Sequence, residues 1–353
     1  MVGPDGALPL PWLAPVLKQT LGSQHAHALL LHGPRGVGQF ELALTLAQAW
    51  LCEAAAPAEK PCGHCASCKL VQARSHPDLL VLVPEALQQE LGWNAAEGEE
   101  GAPERASKTK PSQEIKVEAV RRAVGFAQIT SARGLGKVVV LHPAERMNGI
   151  SANTLLKTLE EPVGATRFLL SCAAPDALLP TIRSRCQAVP LSLPPAEASL
   201  AWLSAQGVEG AEVLLAATGG QPQEALAWSR QGIDAALWGR LPALVAQGMA
   251  QPLAAWPLPR VVDALQKLAH DAACLACGAA PRYFAASQFG PGTAEPGALN
   301  AWMAELRRIA RHAEHPWNAG LVIESLVQQG QRALATRAKS APPGRGVSVH
   351  SRT

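Results

Sequence analysis

Residues 27–40 read HALLLHGPRGVGQF: a short apolar run, a glycine-rich turn, and the start of a helical pattern that continues over Phe40–Leu51. An unbroken apolar run of this length fits a strand covered on both faces, because alternate side chains point to opposite sides and neither side is polar. Three further runs have the same character, at 78–83 (DLLVLV), 137–142 (KVVVLH) and 167–172 (RFLLSC). Helical patterns at Lys116–Gln128 and Ala152–Leu159 lie between them. Strand and helix alternating in this way predict crossover connections and a doubly wound, parallel α/β domain over residues 1–190.

The turn after the first run, Gly33-Pro34-Arg35-Gly36-Val37-Gly38-Gln39-Phe40, matches the glycine spacing of the phosphate loop G-x-x-x-x-G-K-S/T, and it sits between a strand and a helix as that motif requires. Gly33, Gly36 and Gly38 are the candidate phosphate-binding positions, where backbone N–H groups would wrap an anion. The two residues that carry the nucleotide chemistry are missing. Gln39 replaces the lysine and Phe40 the magnesium-binding hydroxyl. A unit charge ~4 Å from a phosphate at an effective dielectric near 20 is worth roughly 4 kcal/mol, so ATP is not expected to bind here. The acidic pair that would follow the third run is also missing, since His142 and Pro143 stand there. Glu145 lies a turn too far along and reads as a solvated helix-start residue.

The chain has 353 residues, enough for roughly 2.4 domains of ~150 residues. Hydrophobic residues make up 48% and charged residues 17%, which excludes a disordered or collagen-like chain. No apolar run approaches the ~20 residues of a membrane-spanning helix, and the N-terminus carries no basic segment of a signal peptide, so a cytoplasmic protein is expected. With 31 Lys+Arg against 28 Asp+Glu, bulk charge does not argue for a nucleic-acid groove. Aromatic residues at 4% do not suggest a base-stacking platform. Residues 94–113 are polar and read as a mobile surface insertion. Beyond the proline-rich segment 190–195 only helical patterns follow, which predicts a small helical lid at 191–231, a larger all-helical domain at 232–335 and a disordered basic tail at 336–353.

Four of the eight cysteines cluster as Cys52, Cys62, Cys65 and Cys68. Two overlapping C-x-x-C turns and a fourth upstream thiol provide the soft donors of a tetrahedral Zn²⁺ site, and a site filled by four protein ligands is structural rather than catalytic. A redox C-x-x-C pair is the weaker alternative. His64 reads as an exposed neighbour. Cys274 and Cys277, three residues apart on a helical pattern, read as core or interhelical contacts.

The segments NTLLKTLEEP (153–162), RFLLSC (167–172) and SRC (184–186), with a four-cysteine insert placed directly after the phosphate-loop helix, resemble the bacterial clamp-loader branch of the AAA+ ATPases. The resemblance is strong over about 10–230 and weaker over 255–335. It implies an AAA+ sheet domain, a helical lid and a helical collar through which subunits assemble. Together with the lost lysine, hydroxyl and acidic pair, it implies a member of the ring that hydrolyses no ATP itself and serves within a DNA-directed DNA polymerase III holoenzyme. The implied partners are motor subunits of the gamma/tau type, a delta subunit, and the sliding clamp and primed DNA through the assembled ring. Carried over by position, Arg185 in Ser-Arg-Cys becomes an arginine finger acting in trans, a role worth ~10³–10⁵ in rate. Ser171 falls at the γ-phosphate-sensing position and reads as structural. In GGQPQEAL (219–226), Gln223 stands where the lid supplies an arginine.

Two other readings compete. A self-sufficient ATPase would have to use Arg35 and Glu145 in an atypical pocket. A zinc-bearing DNA-binding module would need a basic surface near the cysteines, but Lys60, Lys69 and Arg74 are offset there by Glu53 and Glu59. Arg133 and Lys137, close together by the third strand, are the candidates for DNA contact within the ring.

Overall fold

The apolar runs form strands β1 (Ala28–His32), β2 (Leu79–Leu82), β3 (Lys137–Leu141) and β4 (Thr166–Cys172), and β5 (Gln187–Pro190) follows the Ser-Arg-Cys segment. The computed structural model describes residues 1–23, 26–93, 111–290, 294–312 and 317–335. The insertion expected at 94–113 falls mostly outside these residues, and the tail at 336–353 falls entirely outside them. All five strands are parallel, in the order β2-β3-β4-β1-β5. The chain divides into two units, the first comprising Met1–Trp202 with Gln221–Glu224 and the second Leu203–Gly220 with the chain from Ala225 onward.

In the first unit the helices are α1 (Ala14–Ser23), α2 (Gln39–Trp50), α3 (Ala66–Gln72), α4 (Glu85–Leu91), α5 (Val117–Gln128), α6 (Gly149–Glu160) and α7 (Pro180–Arg183). The strand runs are continuously apolar because each serves two cores. Leu29, Leu31, Val138, Val140 and Leu169 pack with Leu13, Leu17, Leu42 and Leu46 on the side of α1 and α2. The alternate residues Ala28, Leu30, Val139, Leu141, Phe168 and Leu170 pack with Val120, Leu155, Leu159 and Ile182 from α5, α6 and α7. The doubly wound, parallel α/β architecture read from the sequence is the one observed.

Asp78, fully buried just before β2, ties the lower ends of the strands together. It accepts hydrogen bonds from Ala132 N (2.7 Å), Arg133 N (2.9 Å) and Ser131 Oγ (3.0 Å), and Lys137 Nζ lies 3.4 Å away. Burial pushes this carboxyl up, but the two N–H groups, the hydroxyl and Lys137 outweigh it and hold it below the usual range.

The chain from α8 (Ala196–Ala205) onward is helical, with α9 (Ala211–Ala217), α10 (Pro222–Arg230), α11 (Ala235–Ala246), α12 (Leu258–Ala276), α13 (Pro296–Arg311) and α14 (Ala319–Leu334). In the second unit Trp228, Trp238 and Trp302 form a buried core with Leu241, Leu265, Leu268, Leu306 and Val327. Trp302 Nε1 donates to Leu326 O at 3.0 Å, which satisfies its polar edge inside the core. Asp271 is fully buried on α12 and accepts from the N–H groups of Arg282 (2.9 Å), Tyr283 (2.6 Å) and Phe284 (2.9 Å), fixing the segment after the helix. Cys277 caps α12 and is exposed, and Cys274 is half-buried beside His270 (Sγ to Nδ1 3.8 Å). The expected core role of this cysteine pair therefore does not hold, because the helix turns that face outward at its end. No helix among the described residues is long and apolar enough to cross a membrane.

Candidate functional site

The phosphate loop forms as the glycine spacing predicts, but its interior is occupied by the chain's own side chains. Gly38 takes φ +105 at the N-cap of α2, and a Cβ there would lie 2.5 Å from Leu10 Cδ1. A Cβ on Gly33 would meet Leu191 O at 2.3 Å. Both glycines are thus required for packing alone, whatever the loop binds. The buried Gln39 amide donates to Gly33 O (2.7 Å) and Pro34 O (2.6 Å), and Trp12 Nε1 donates to Val37 O (2.8 Å). Gln39 therefore closes the loop on itself instead of reaching outward as lysine would. Within the same unit, Gln223 N donates to Gly36 O (3.2 Å) and Gln223 Nε2 to Glu41 Oε1 (2.6 Å), which lays the 221–224 segment on the loop.

The two other substitutions meet each other. Phe40 and His142 stack with ring centroids 4.5 Å apart and planes 22° from parallel. His142 Nδ1 lies 2.9 Å from Ser171 Oγ, on the strand next to β3. Burial lowers the pKa of His142 to about 4, so at neutral pH the ring is uncharged. The two residues at the positions of the missing hydroxyl and acidic group thus form an uncharged aromatic pair. Ser171 has the structural role expected of it, also donating to Leu141 O at 3.3 Å.

Glu145 corrects an expectation. It does lie at a helix start, in the 3-10 turn Ala144–Arg146, but its carboxylate is not solvated: Oε1 accepts from Ala173 N (2.9 Å), and Oε2 is shielded from solvent with no hydrogen-bond partner. The 3-10 turn after β3 swings this carboxylate toward the end of β4, which residue spacing alone did not reveal. Both members of the basic pair at the start of β3 are engaged by carboxylates, Lys137 in the interior and Arg133 at the surface. Lys137 is buried on Asp78 and over the Phe126 ring at 3.9 Å, and Arg133 Nε donates to Glu53 Oε1 at 3.0 Å.

The four cysteines converge at the start of α3, with their sulfurs all within 4.8 Å of one another. Cys52 and Cys65 sulfurs are 3.9 Å apart, and those of Cys62 and Cys68 are 4.0 Å apart. Zn–S bonds of ≈ 2.3 Å place tetrahedral sulfurs ~3.8 Å apart, so the donor set fits a soft divalent ion. Backbone N–H groups are directed at the sulfurs: Cys65 N to Cys62 Sγ (3.4 Å), Cys68 N to Cys65 Sγ (3.3 Å) and Cys62 N to Cys52 Sγ (3.5 Å). Burial opposes ionisation of Cys62, but the Cys65 and His64 N–H groups and adjacent thiols lower its pKa to about 6. Burial holds Cys52 and Cys68 above the ordinary thiol range. Four thiolates this close repel one another, and a divalent cation offsets that repulsion. His64 is exposed and engaged with Cys62 O through Nδ1 (2.8 Å). Val2 braces the module, exchanging hydrogen bonds with Gln48 (2.7 and 3.0 Å) and accepting from Gln72 (3.0 Å).

Arg185 lies beyond α7, its side chain about 31% exposed. Its Nε donates to Glu160 Oε1 at 2.5 Å, Nη2 binds the same oxygen, and Nη1 donates to Thr181 O at 2.9 Å. Three of the five guanidinium N–H groups are engaged at short range, and a further contact, to Ser184 Oγ, is 3.5 Å long. Glu160, within the LEEP segment, is the partner that sequence did not assign. Arg183 pairs separately with Asp176 at 3.0 Å.

The family model described as DNA polymerase III, delta subunit, matches residues 13–195. The DNA polymerase III subunit delta' of Pseudomonas aeruginosa is 41% identical over 266 residues, 72% of this chain and 74% of that protein. The Escherichia coli (strain K12) subunit delta' is 35% identical over 62% of this chain, and the match spans only 60% of that relative. The E. coli subunit tau is 34% identical over 47% of this chain and 22% of its own length. With its phosphate loop, cysteine cluster and Ser-Arg-Cys segment on a five-stranded parallel sheet, the chain belongs to the delta' family of bacterial DNA polymerase III subunits.

Proposed function

We propose that this chain is a non-hydrolysing subunit of a clamp-loader ring and that Arg185 completes the ATP site of a neighbouring motor subunit. The observation that supports the reading is how the side chains at the phosphate loop are engaged. Gln39 is spent on loop carbonyls, and Phe40 on His142, at the positions that would contact phosphate and metal. A chain built this way gains nothing from ATP of its own and acts through assembly. The similarity to subunit tau supports motor subunits of the gamma/tau type as neighbours, with delta, the sliding clamp and primed DNA engaged through the ring.

In this reading Glu160 and Thr181 O hold the Arg185 guanidinium by one side, and the remaining N–H groups face a γ-phosphate on the neighbour. Such a group stabilises charge developing in the transition state and contributes ~10³–10⁵ in rate, about 4–7 kcal/mol. Cys52, Cys62, Cys65 and Cys68 hold a structural Zn²⁺, which cross-links the insert between α2 and α3. The helical segments 191–231 and 232–335 serve as lid and collar.

The test is reconstitution of the complex with Arg185→Ala. Assembly is expected to persist while DNA- and clamp-stimulated ATP turnover falls, and unchanged turnover would exclude the finger role. Equilibrium dialysis of the isolated chain with labelled ATP is expected to give no micromolar binding.

A further inference from the structure

A second concave site lies at the opposite end of the sheet from the phosphate loop. It is a cleft of about 330 Å³ lined by Trp50, Lys60, Lys137 and Arg167 among apolar residues that include Leu21 and Leu135. Lys137 opens β3 and Arg167 is the second residue of β4, whereas the phosphate loop follows the last residue of β1. Arg167 is level with His27, six residues before Gly33, so at ~3.3 Å per residue the two sites are roughly 20 Å apart.

Three cations line this cleft and no carboxylate does. Lys137 is committed to Asp78. Arg167 is half-buried, with its guanidinium 4.6 Å from the centre of the Trp50 ring, and it has no acidic partner among the described residues. Lys60 is likewise without one. Burial lowers the pKa of Arg167, the mark of a cation held away from water without a compensating anion. Withdrawing a guanidinium from water costs free energy that a bound anion would recover.

We infer that this cleft is a binding site for a small organic phosphate, its phosphate held between Arg167 and Lys60 and its apolar body against Leu21, Pro57 and Leu135. The volume exceeds what an inorganic ion needs and falls in the range of small-ligand sites. Guanidinium and ammonium together suit a phosphate, the first by its planar fork and the second as a point charge. Two unpaired cations in a concavity do not make the extended track that a nucleic-acid backbone requires.

Isothermal titration of the full chain with adenosine 5′-monophosphate, without divalent cations, tests the site. Saturable one-site binding is expected, weakened at least about tenfold by Arg167→Gln and measurably by Lys60→Ala. Arg35→Ala, on the phosphate loop, is expected to leave it unchanged. No saturation up to about 1 mM would overturn the inference. So would a loss caused by Arg35→Ala but not by the cleft variants, because the ligand would then occupy the phosphate loop. Pyrophosphate binding as tightly as the nucleotide would remove the role of the apolar wall and with it the ligand class. If Arg167→Gln fails to fold, Lys60→Ala decides the question.

Discussion

Acidification should weaken the first unit through His142 in a defined window. The pKa of this histidine is lowered by burial from 6.5 to about 4. As the pH falls below 6.5 the unfolded chain takes up a proton that the native chain refuses, so protonation favours unfolding. The stability from the neutral ring is fully present above pH 6.5 and is lost as the pH falls toward 4. At about 1.4 kcal/mol per pKa unit the full loss is about 3 kcal/mol, and between pH 7 and pH 4.5 it is about 2.5 kcal/mol. His76 is also buried, and its lowered pKa adds to the same trend, so wild type alone does not isolate the effect. His142→Phe keeps a ring against Phe40 and removes the titrating nitrogens, leaving His76 common to both proteins. Urea denaturation at the two pH values should show the variant gaining about 2.5 kcal/mol relative to wild type on acidification, a midpoint difference of about 1 M. An unchanged difference between the two proteins would refute a buried neutral imidazole at this position.

In the reconstituted complex, Arg185→Ala should lower ATP turnover at the adjoining motor site by ~10³-fold or more without releasing the subunit, checked by gel filtration and a phosphate-release assay. Elemental analysis should find one zinc per chain, and Cys65→Ser should reduce it to near zero with a lower melting temperature. Phe40→Ala should cost about 3–5 kcal/mol in denaturant titrations, because it removes a buried ring and leaves His142 unpacked, and it should not create ATP binding. Asp271→Ala should cost about 3 kcal/mol or more, since the N–H groups of Arg282, Tyr283 and Phe284 lose their shared acceptor.

Much of this protein was decided by local pattern. The apolar runs at 27–32, 78–83, 137–142 and 167–172 specify strands of a sheet covered on both faces because apolar residues dominate both alternations. The glycine spacing from Gly33 to Gly38 specifies the turn between strand and helix, and the C-x-x-C turns place three sulfurs near one point before any tertiary contact forms. The missing lysine, hydroxyl and acidic residues are likewise visible in a chain of letters, because loss of charge needs no geometry to be seen.

What fills the vacated pocket, however, was decided only by folding. Phe40 and His142 are 102 positions apart and meet because β1 and β3 flank β4, so their stacking follows from strand order and not from either neighbourhood in sequence. The same holds for Glu160 on Arg185, for Glu145 turned to Ala173, for Arg133 paired with Glu53 at the surface and for Lys137 drawn inward to Asp78. A side chain's type sets what it can bind, but burial and the partner across the fold set what it does bind. Charged groups are the most sensitive to that difference, because water and a buried carboxylate solvate the same cation in ways that no sequence window distinguishes.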